Sequence, residues 1–385
     1  MQLNRRFSIA ACAILALSSL KAEDYVSVQY MSYDEDSGRT TISTPTFEFN
    51  KDIGADYTVN FSFLHDTVTG ASPTYYDSQS GASATIPKNK VQYQSDIVYG
   101  NIPYDDDRKA MSFSLSKRFA SRDELTVGLN HSTENDYTSN EISVEYLYFL
   151  DKTKNTSFTF GISYQANKVG IDCFLNTGDC DSTSGASGQV KKDLDVVSAE
   201  IGVTQVIDKT SLVKASVFTI DEDGYLTNPY MRVVRNYYTA PEIAPEVKPD
   251  SRRAYGATLQ YSKAFTDKFS TVLSYRYYDD DWDIRSHTFN SKFYYSWSSK
   301  LTTGFLFRGY TQTQAKFYSP RRDYFTNEKY ASSDRRMSEF DSYNYSVTVD
   351  YKINKKVTLN LGIGYYDQPD YFDSTYYDVG FKYSF

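Results

Sequence analysis

After its N-terminal segment the 385-residue chain has no apolar run long enough for a membrane-spanning helix, which needs roughly 20 such residues. Its mean hydropathy, −0.55, is that of a soluble protein. Cysteine is scarce, three residues in all, which excludes a small disulfide-stapled scaffold. Basic residues are outnumbered, 41 against 49 acidic, and the net charge of −8 does not suit nucleic acid as a partner. His65, His131 and His287 are the only histidines. Catalysis by a nucleophile needs a base and an orienting group beside it, and no Gly-x-Ser-x-Gly elbow stands out. His65-Asp66 would make an acid–base pair, but neighbours on a strand point to opposite faces. The chain is therefore read as no enzyme, and no cofactor is assigned to it.

What the sequence has in abundance is aromatic side chains, 37 Tyr and 24 Phe beside 2 Trp. Aromatics favour strands, and in outer-membrane barrels they gather in girdles at both interfaces. A barrel also hides in a low hydropathy, because every second residue of each strand faces a polar lumen. Alternation is strict over long stretches. Phe269, Thr271, Leu273, Tyr275 and Tyr277 share one face, opposite Ser270, Val272, Ser274 and Arg276. Val357, Leu359, Leu361, Ile363 and Tyr365 alternate with Thr358, Asn360, Gly362, Gly364 and Tyr366. In 301–317 the same period runs on, with Gln312, Gln314 and Lys316 continuing the polar side. A soluble sandwich has this period too, but its strands average only about five or six residues.

Short polar turns punctuate these segments at 51–56, 120–123, 151–155, 208–210, 266–268, 298–300 and 354–356. Longer connections lie between them, the longest at 67–102, 169–192, 224–250 and 319–338. That asymmetry is the one expected of a barrel with periplasmic turns and extracellular loops. Seven turns with both termini periplasmic predict a transmembrane antiparallel β-barrel of 16 strands. Loop positions such as Ser184 and Glu246 would lie outside the cell, and turn positions such as Lys154 and Lys355 in the periplasm.

Both ends agree with export. Arg5 and Arg6 precede an apolar stretch from Phe7 to Leu20, and Ala22 offers a small residue for cleavage before Glu23. Residues 1–22 are read as a signal peptide and 23–385 as the barrel. A lipoprotein box at Cys12 or a twin-arginine signal fits the segment less well. Removing Arg5, Arg6 and Lys21 leaves 38 basic residues against 49 acidic, a net charge of −11. At the other end Tyr377, Val379, Phe381, Tyr383 and Phe385 share one face, as expected of an edge strand handed to the barrel assembly machinery.

Several segments resemble an uncharacterised family of bacterial outer-membrane proteins. They are Asp36-Ser37-Gly38-Arg39, Asp66-Thr67-Val68-Thr69-Gly70-Ala71-Ser72-Pro73 and Asp105-Asp106-Asp107-Arg108-Lys109-Ala110. Tyr275-Arg276-Tyr277-Tyr278, Asp281-Trp282-Asp283-Ile284-Arg285-Ser286-His287-Thr288, Gln314-Ala315-Lys316-Phe317-Tyr318 and Ser333-Asp334-Arg335-Arg336-Met337-Ser338 follow. The Gly-Ala-Ser-Pro element is the most specific of them. The resemblance implies an outer-membrane barrel without an assigned substrate. Genes of the family neighbour flavin-transferase and thioredoxin-like genes, which loosely implies a periplasmic redox partner.

If the alternation holds, Glu48, Arg118, Glu145, Glu200, Lys214, Arg276, Lys292, Arg308, Lys316, Asp350 and Lys352 line the lumen. Both signs occur, and no ring of like charge for strong ion selectivity is evident. The acidic run 279–283 is read as a hydrated loop before a calcium site, because it lacks a ligand loop of regular spacing. The expected role is a porin-like channel for a small solute, in contact with outer-membrane lipid and lipopolysaccharide. The alternative is a structural or assembly barrel that holds a redox partner. Cys173 and Cys180, in one predicted outer loop, are expected to form a disulfide. Rapid alkylation of intact cells should find neither thiol free, and replacing both should leave barrel assembly unchanged.

Overall fold

In the computed structural model, which describes residues 24–77, 94–172, 188–369 and 371–385, each polar turn joins two long antiparallel strands. The turn residues do what their chemistry allows. Asn354 Oδ1 accepts the amides of Lys356 (2.8 Å) and Val357 (3.0 Å), and Asp208 Oδ1 accepts that of Thr210 at 2.7 Å. Gly54, at φ 67°, takes the left-handed conformation a tight turn requires.

The strands are β1 (Tyr25–Glu35), β2 (Thr40–Ile53), β3 (Tyr57–Asp77), β4 (Ile97–Arg118), β5 (Glu124–Thr133) and β6 (Tyr137–Phe149). β7 (Thr156–Asp172), β8 (Gln189–Asp208) and β9 (Ser211–Gly224) follow. β10 (Arg232–Arg235) and β11 (Glu242–Pro245) pair only with each other, in a separate hairpin. The wall resumes with β12 (Ser251–Ala264), β13 (Phe269–Asp280), β14 (Arg285–Ser296) and β15 (Leu301–Gln312). β16 (Phe340–Lys352), β17 (Val357–Gln368) and β18 (Phe372–Ser384) complete it. β1 pairs with β18 from Tyr25↔Ser384 to Glu35↔Ser374, so the sheet closes into a barrel of 16 antiparallel strands, as the turns predicted. The Phe385 amide donates to Asp24 O at 3.1 Å, and Lys51 Nζ sits 4.9 Å over its ring.

The registers sort the side chains into two faces. Val28, Leu129, Ile142, Ile162, Val217, Leu259, Val347, Leu361 and Phe381 stand outward and exposed, an apolar band that only lipid can cover. Tyr57, Phe119, Tyr148, Phe265, Trp297, Tyr351 and Tyr383 form an outward aromatic belt beside the short turns. Tyr164, Tyr255, Tyr345, Tyr365 and Tyr377 form a second belt farther along the strands. Such an exterior belongs to a barrel of the bacterial outer membrane. No helix among the described residues is long and apolar enough to cross a membrane.

Three expectations need correction. The described residues of the segment 67–102 are largely strand: β3 and β4 stay paired from Thr67↔Asp107 to Asp77↔Ile97, well past the apolar band. A hydrogen-bonded ladder above the membrane needs no apolar face, so the stretch lacks the apolar alternation that marks the other strands. Lys316 does not line the lumen. β15 ends at Gln312, and beyond it Ala315 N bonds Met337 O (2.8 Å) and Lys316 N bonds Trp282 O (2.9 Å), turning the chain into a loop. Glu246 lies in an outer connection but is 1% exposed, so it cannot report on accessibility. The cleavage pair Ala22 and Glu23, residues 1–22, Ser184 and the cysteines Cys173 and Cys180 lie outside the described residues.

Adjacent residues on β5 test the two faces. Leu129→Lys puts a charge against hydrocarbon and should cost about 2–4 kcal/mol of folding free energy near the bilayer midplane. Asn130→Lys, on the other face, should cost far less. Reversible unfolding of both variants in lipid vesicles measures the difference, and equal costs would contradict the facing.

Candidate functional site: the lumen and its cap

A wall of 16 strands is too wide for side chains to fill, so its interior is an aqueous lumen. The registers turn Glu48, Arg118, Glu145, Glu200, Lys214, Arg276, Lys292, Arg308, Asp350 and Lys352 to that side, opposite the lipid-facing positions. Arg118 and Lys352 sit at the periplasmic mouth, next to their turns. Arg118 bridges Asp52 (3.4 Å) and Glu124 (3.3 Å). The others lie deeper, and their signs are segregated. Lys214, Arg276, Lys292 and Arg308, on β9, β13, β14 and β15, form a basic arc. Glu141 and Glu145 on β6, Glu200 on β8, Asp350 on β16, Asp378 on β18 and Glu48 on β2 flank it. Across the lumen, β3 to β5 present Asn60, Ser62, Ser112, Ser114, Thr126 and Asn130. Among the described residues Lys214, Arg276 and Lys292 make no ion pair, although Glu145 lies close enough to attract Lys214 and Glu200 to attract Arg276. The Arg276 guanidinium lies 4.4 Å over the Phe218 ring. Sequence alternation finds these residues one by one. Their sorting by sign needs the strand order.

None of the three histidines faces the lumen. His65, His131 and His287 share the outward face with Phe63, Leu129 and Phe289. His65 Nε2 meets Asp107 Oδ2 at 2.6 Å, His131 Nδ1 meets Asn140 Oδ1 at 2.9 Å and His287 Nδ1 meets the Tyr275 hydroxyl at 2.6 Å. Asp66 points the other way, where Arg108 Nε (2.7 Å) and Thr44 Oγ1 (2.6 Å) donate to it.

The extracellular end carries a folded cap that sequence reasoning missed. Residues 225–250, with the β10–β11 hairpin, and 313–339 pair through Val247 and Ala331, whose amides donate to each other's carbonyls at 3.0 and 2.9 Å. Leu226, Trp282, Ala315 and Phe317 pack on Val169 and Leu194 of the wall. Val234 and Ile243 pack on Tyr75 and Ile97 of the β3–β4 hairpin. Val233, Ala244, Phe325 and Ala331 form the cap's own centre. The only sequence signal was Val233-Val234 facing Ile243-Ala244 within an otherwise irregular stretch.

Buried charge ties the same segments together. Lys248 Nζ lies 2.7 Å from Glu246 and 3.4 Å from Asp334, all three almost fully buried. Arg336 Nε meets both Asp334 oxygens at 2.9 Å, and Ser332 Oγ donates to Glu246 at 2.9 Å. Burial pushes the Glu246 carboxyl above its ordinary range, with Lys248 pulling it back. Burial raises Asp334 too, but Arg336 and Lys248 outweigh it and hold that carboxyl well below the usual range. Cap and wall also meet at Tyr371, with Arg39 4.2 Å and Arg335 4.8 Å over its ring.

The acidic run 279–283 is occupied by its own protein. Asp280 accepts from Arg252 Nε (2.8 Å), Tyr278 (2.8 Å) and the amides of Trp282 and Ile284. Asp279 pairs with Arg285 at 3.3 Å, and buried Trp282 donates to Ser251 O at 3.0 Å. Asp106, Glu134 and Asp136 converge nearby, but Asp106 already accepts the amides of Asp107 and Asn135. Nearly every segment that carried the family resemblance lies at this extracellular rim.

Comparison with known proteins follows this geometry. A crystal structure of the ferric enterobactin receptor PfeA from Pseudomonas aeruginosa is 11% identical, with a TM-score of 0.44 over 90% of this chain and 53% of that one. This chain thus spans about half the length of that receptor. The CymD monoaromatic hydrocarbon channel is 9% identical, with a TM-score of 0.44 over 100% of this chain and 94% of that one. The KdgM porin, in complex with disordered oligogalacturonate, is 11% identical, with a TM-score of 0.29 over 93% and 99%. Among curated protein sequences none matches. Residues 4–376 match the family described as proteins of unknown function, DUF3570, and with nearly its whole length so aligned the chain belongs to that family.

Proposed function

We propose that the protein is an outer-membrane channel whose water-filled lumen passes a small polar solute and whose folded cap restricts entry. The observation that carries this reading is the inward-facing basic arc of Lys214, Arg276 and Lys292, of which Lys292 is exposed and has no acidic group acting on it among the described residues. A charge left without a partner in a dry, closed interior would cost several kcal/mol, so Lys292 requires water around it. Lys292 is exposed although it faces inward, which a side-chain-filled interior would not permit. The sign segregation gives the lumen a field across its width, suited to orienting a dipolar solute rather than to excluding one ion sign. The exterior would meet lipid and lipopolysaccharide, and β18 would be the strand taken up by the assembly machinery. A barrel that only holds a periplasmic redox partner has no use for an unpaired interior charge.

Single-channel recording on the refolded protein tests this. The wild type should conduct, and Lys292→Glu with Arg308→Glu should move the reversal potential towards cation preference under a salt gradient. Lys248→Met leaves Glu246 and Asp334 facing each other without their shared cation, which should loosen the cap and raise the conductance. Absence of conductance in the wild type and in the cap variant would overturn the proposal.

A further inference from the structure

Where the cap meets the β3–β4 hairpin, four tyrosines and two arginines line a cleft of about 430 Å³. That is the size of ordinary small-molecule sites, roughly 300–1,000 Å³. Three elements build it. The β3–β4 hairpin supplies Tyr75 and Tyr99, with ring centroids 5.0 Å apart and edge to face. The connection after β10 supplies Tyr237 and Tyr238, also edge to face at 5.2 Å. The cap segment before Phe325 supplies Arg321, Arg322 and Asp323.

The internal bonds of this group hold it open and leave one charge over. The Tyr75 hydroxyl donates to Pro320 O at 3.1 Å, which fixes the hairpin to the cap segment. Arg321 meets Asp323 through two bonds of 3.0 Å, and the Tyr238 hydroxyl donates to the same carboxylate at 2.7 Å. Asp323 is thus fully engaged and Arg321 neutralised. Arg322 has no carboxylate partner among the described residues; its guanidinium lies 4.8 Å over the Tyr237 ring. Tyr238 is 72% exposed although it is large and aromatic.

We infer that this cleft binds a small ring-bearing anion from the medium, its ring against the tyrosine faces and its single negative group on Arg322. Aromatic faces accept the flat apolar side of an arene or a sugar ring. A guanidinium presents a planar fork that fits a carboxylate through two bonds. Neither feature alone selects a ligand, but together they favour a ring acid over a neutral ring or a plain anion. The cleft shares no lining residue with the basic arc or its acidic flanks, so its binding can be measured without conduction.

Equilibrium titration of the refolded barrel in detergent, with no membrane to cross, keeps the two questions separate. The probes are benzoate and galacturonate, each against its neutral counterpart, phenol or galactose. One of the two acids should bind saturably and at least tenfold more tightly than its neutral counterpart, which tells arene from sugar. Arg322→Gln should remove that preference, and Tyr238→Ala should weaken acid and neutral ring alike; both side chains are exposed, so neither change threatens folding. No saturable binding of either acid, equal binding of acid and neutral ring, or unchanged affinity in Arg322→Gln would each overturn the site.

Discussion

The pairing of β1 with β18 is the constraint on which the rest depends. In hydrocarbon an unpaired N–H or C=O has no water to turn to and costs several kcal/mol. A sheet with two free edges would expose a row of such groups at each one. From Tyr25↔Ser384 to Glu35↔Ser374 the first and last strands of the wall satisfy one another, and every wall strand becomes an inner strand. Only then can the outward positions alone carry the apolar requirement. Half of each strand is left free for serine, asparagine and charge, which is why a membrane protein has a mean hydropathy of −0.55.

That division also sets what the sequence could reveal. Turns were legible to within about three residues because Asn354, Asp208 and Gly54 each do a local job that few residues can do. Strand faces were legible because lipid punishes any lapse in alternation. Lys316 was misread where period two continued by chance beyond Gln312, and nothing local marked the end of the ladder. What stops β15 is a set of distant partners, Met337 and Trp282, which no single stretch of sequence contains. The cap was invisible for the same reason. Irregular backbone has no period, so Leu226, Trp282 and Phe317 carry no sign that they share a core.

A cap made of connections faces a problem that the wall does not. Its backbone groups lack a continuous ladder, and its apolar centre is small. Buried charge answers the first difficulty at a cost in desolvation, because two segments that must share one lysine can meet in only one register. Lys248 serves Glu246 two residues before it and Asp334 on the facing segment, while Arg336 completes Asp334. The Val247–Ala331 bridge lies directly beside this group, so backbone pairing and ion pairing specify the same alignment. Tyr75 and Ile97 then fasten the cap to the β3–β4 hairpin, and Val169 and Leu194 fasten it to β7 and β8, farther round the rim.

The long hairpins make sense in that light. On β3 the outward residues run Tyr57, Val59, Phe61 and Phe63, then change to His65 and Thr67. On β4 the partners Leu115, Phe113 and Met111 give way to Lys109 and Asp107. β7 and β8 change in the same way, from Phe160, Ile162 and Val197 to Lys168, Asp195 and Asp193. On these hairpins the outward ion pairs His65–Asp107 and Lys168–Asp193 lie above that line, where water tolerates them. The lipid boundary is therefore written on the outer face, while the ladder beneath it continues without a break. Strand length here answers to the cap rather than to the membrane. Both pairs continue upward as pedestals, and their inward residues Val68, Val169, Ile171 and Leu194 are buried, Val169 and Leu194 in the apolar cluster they share with the cap.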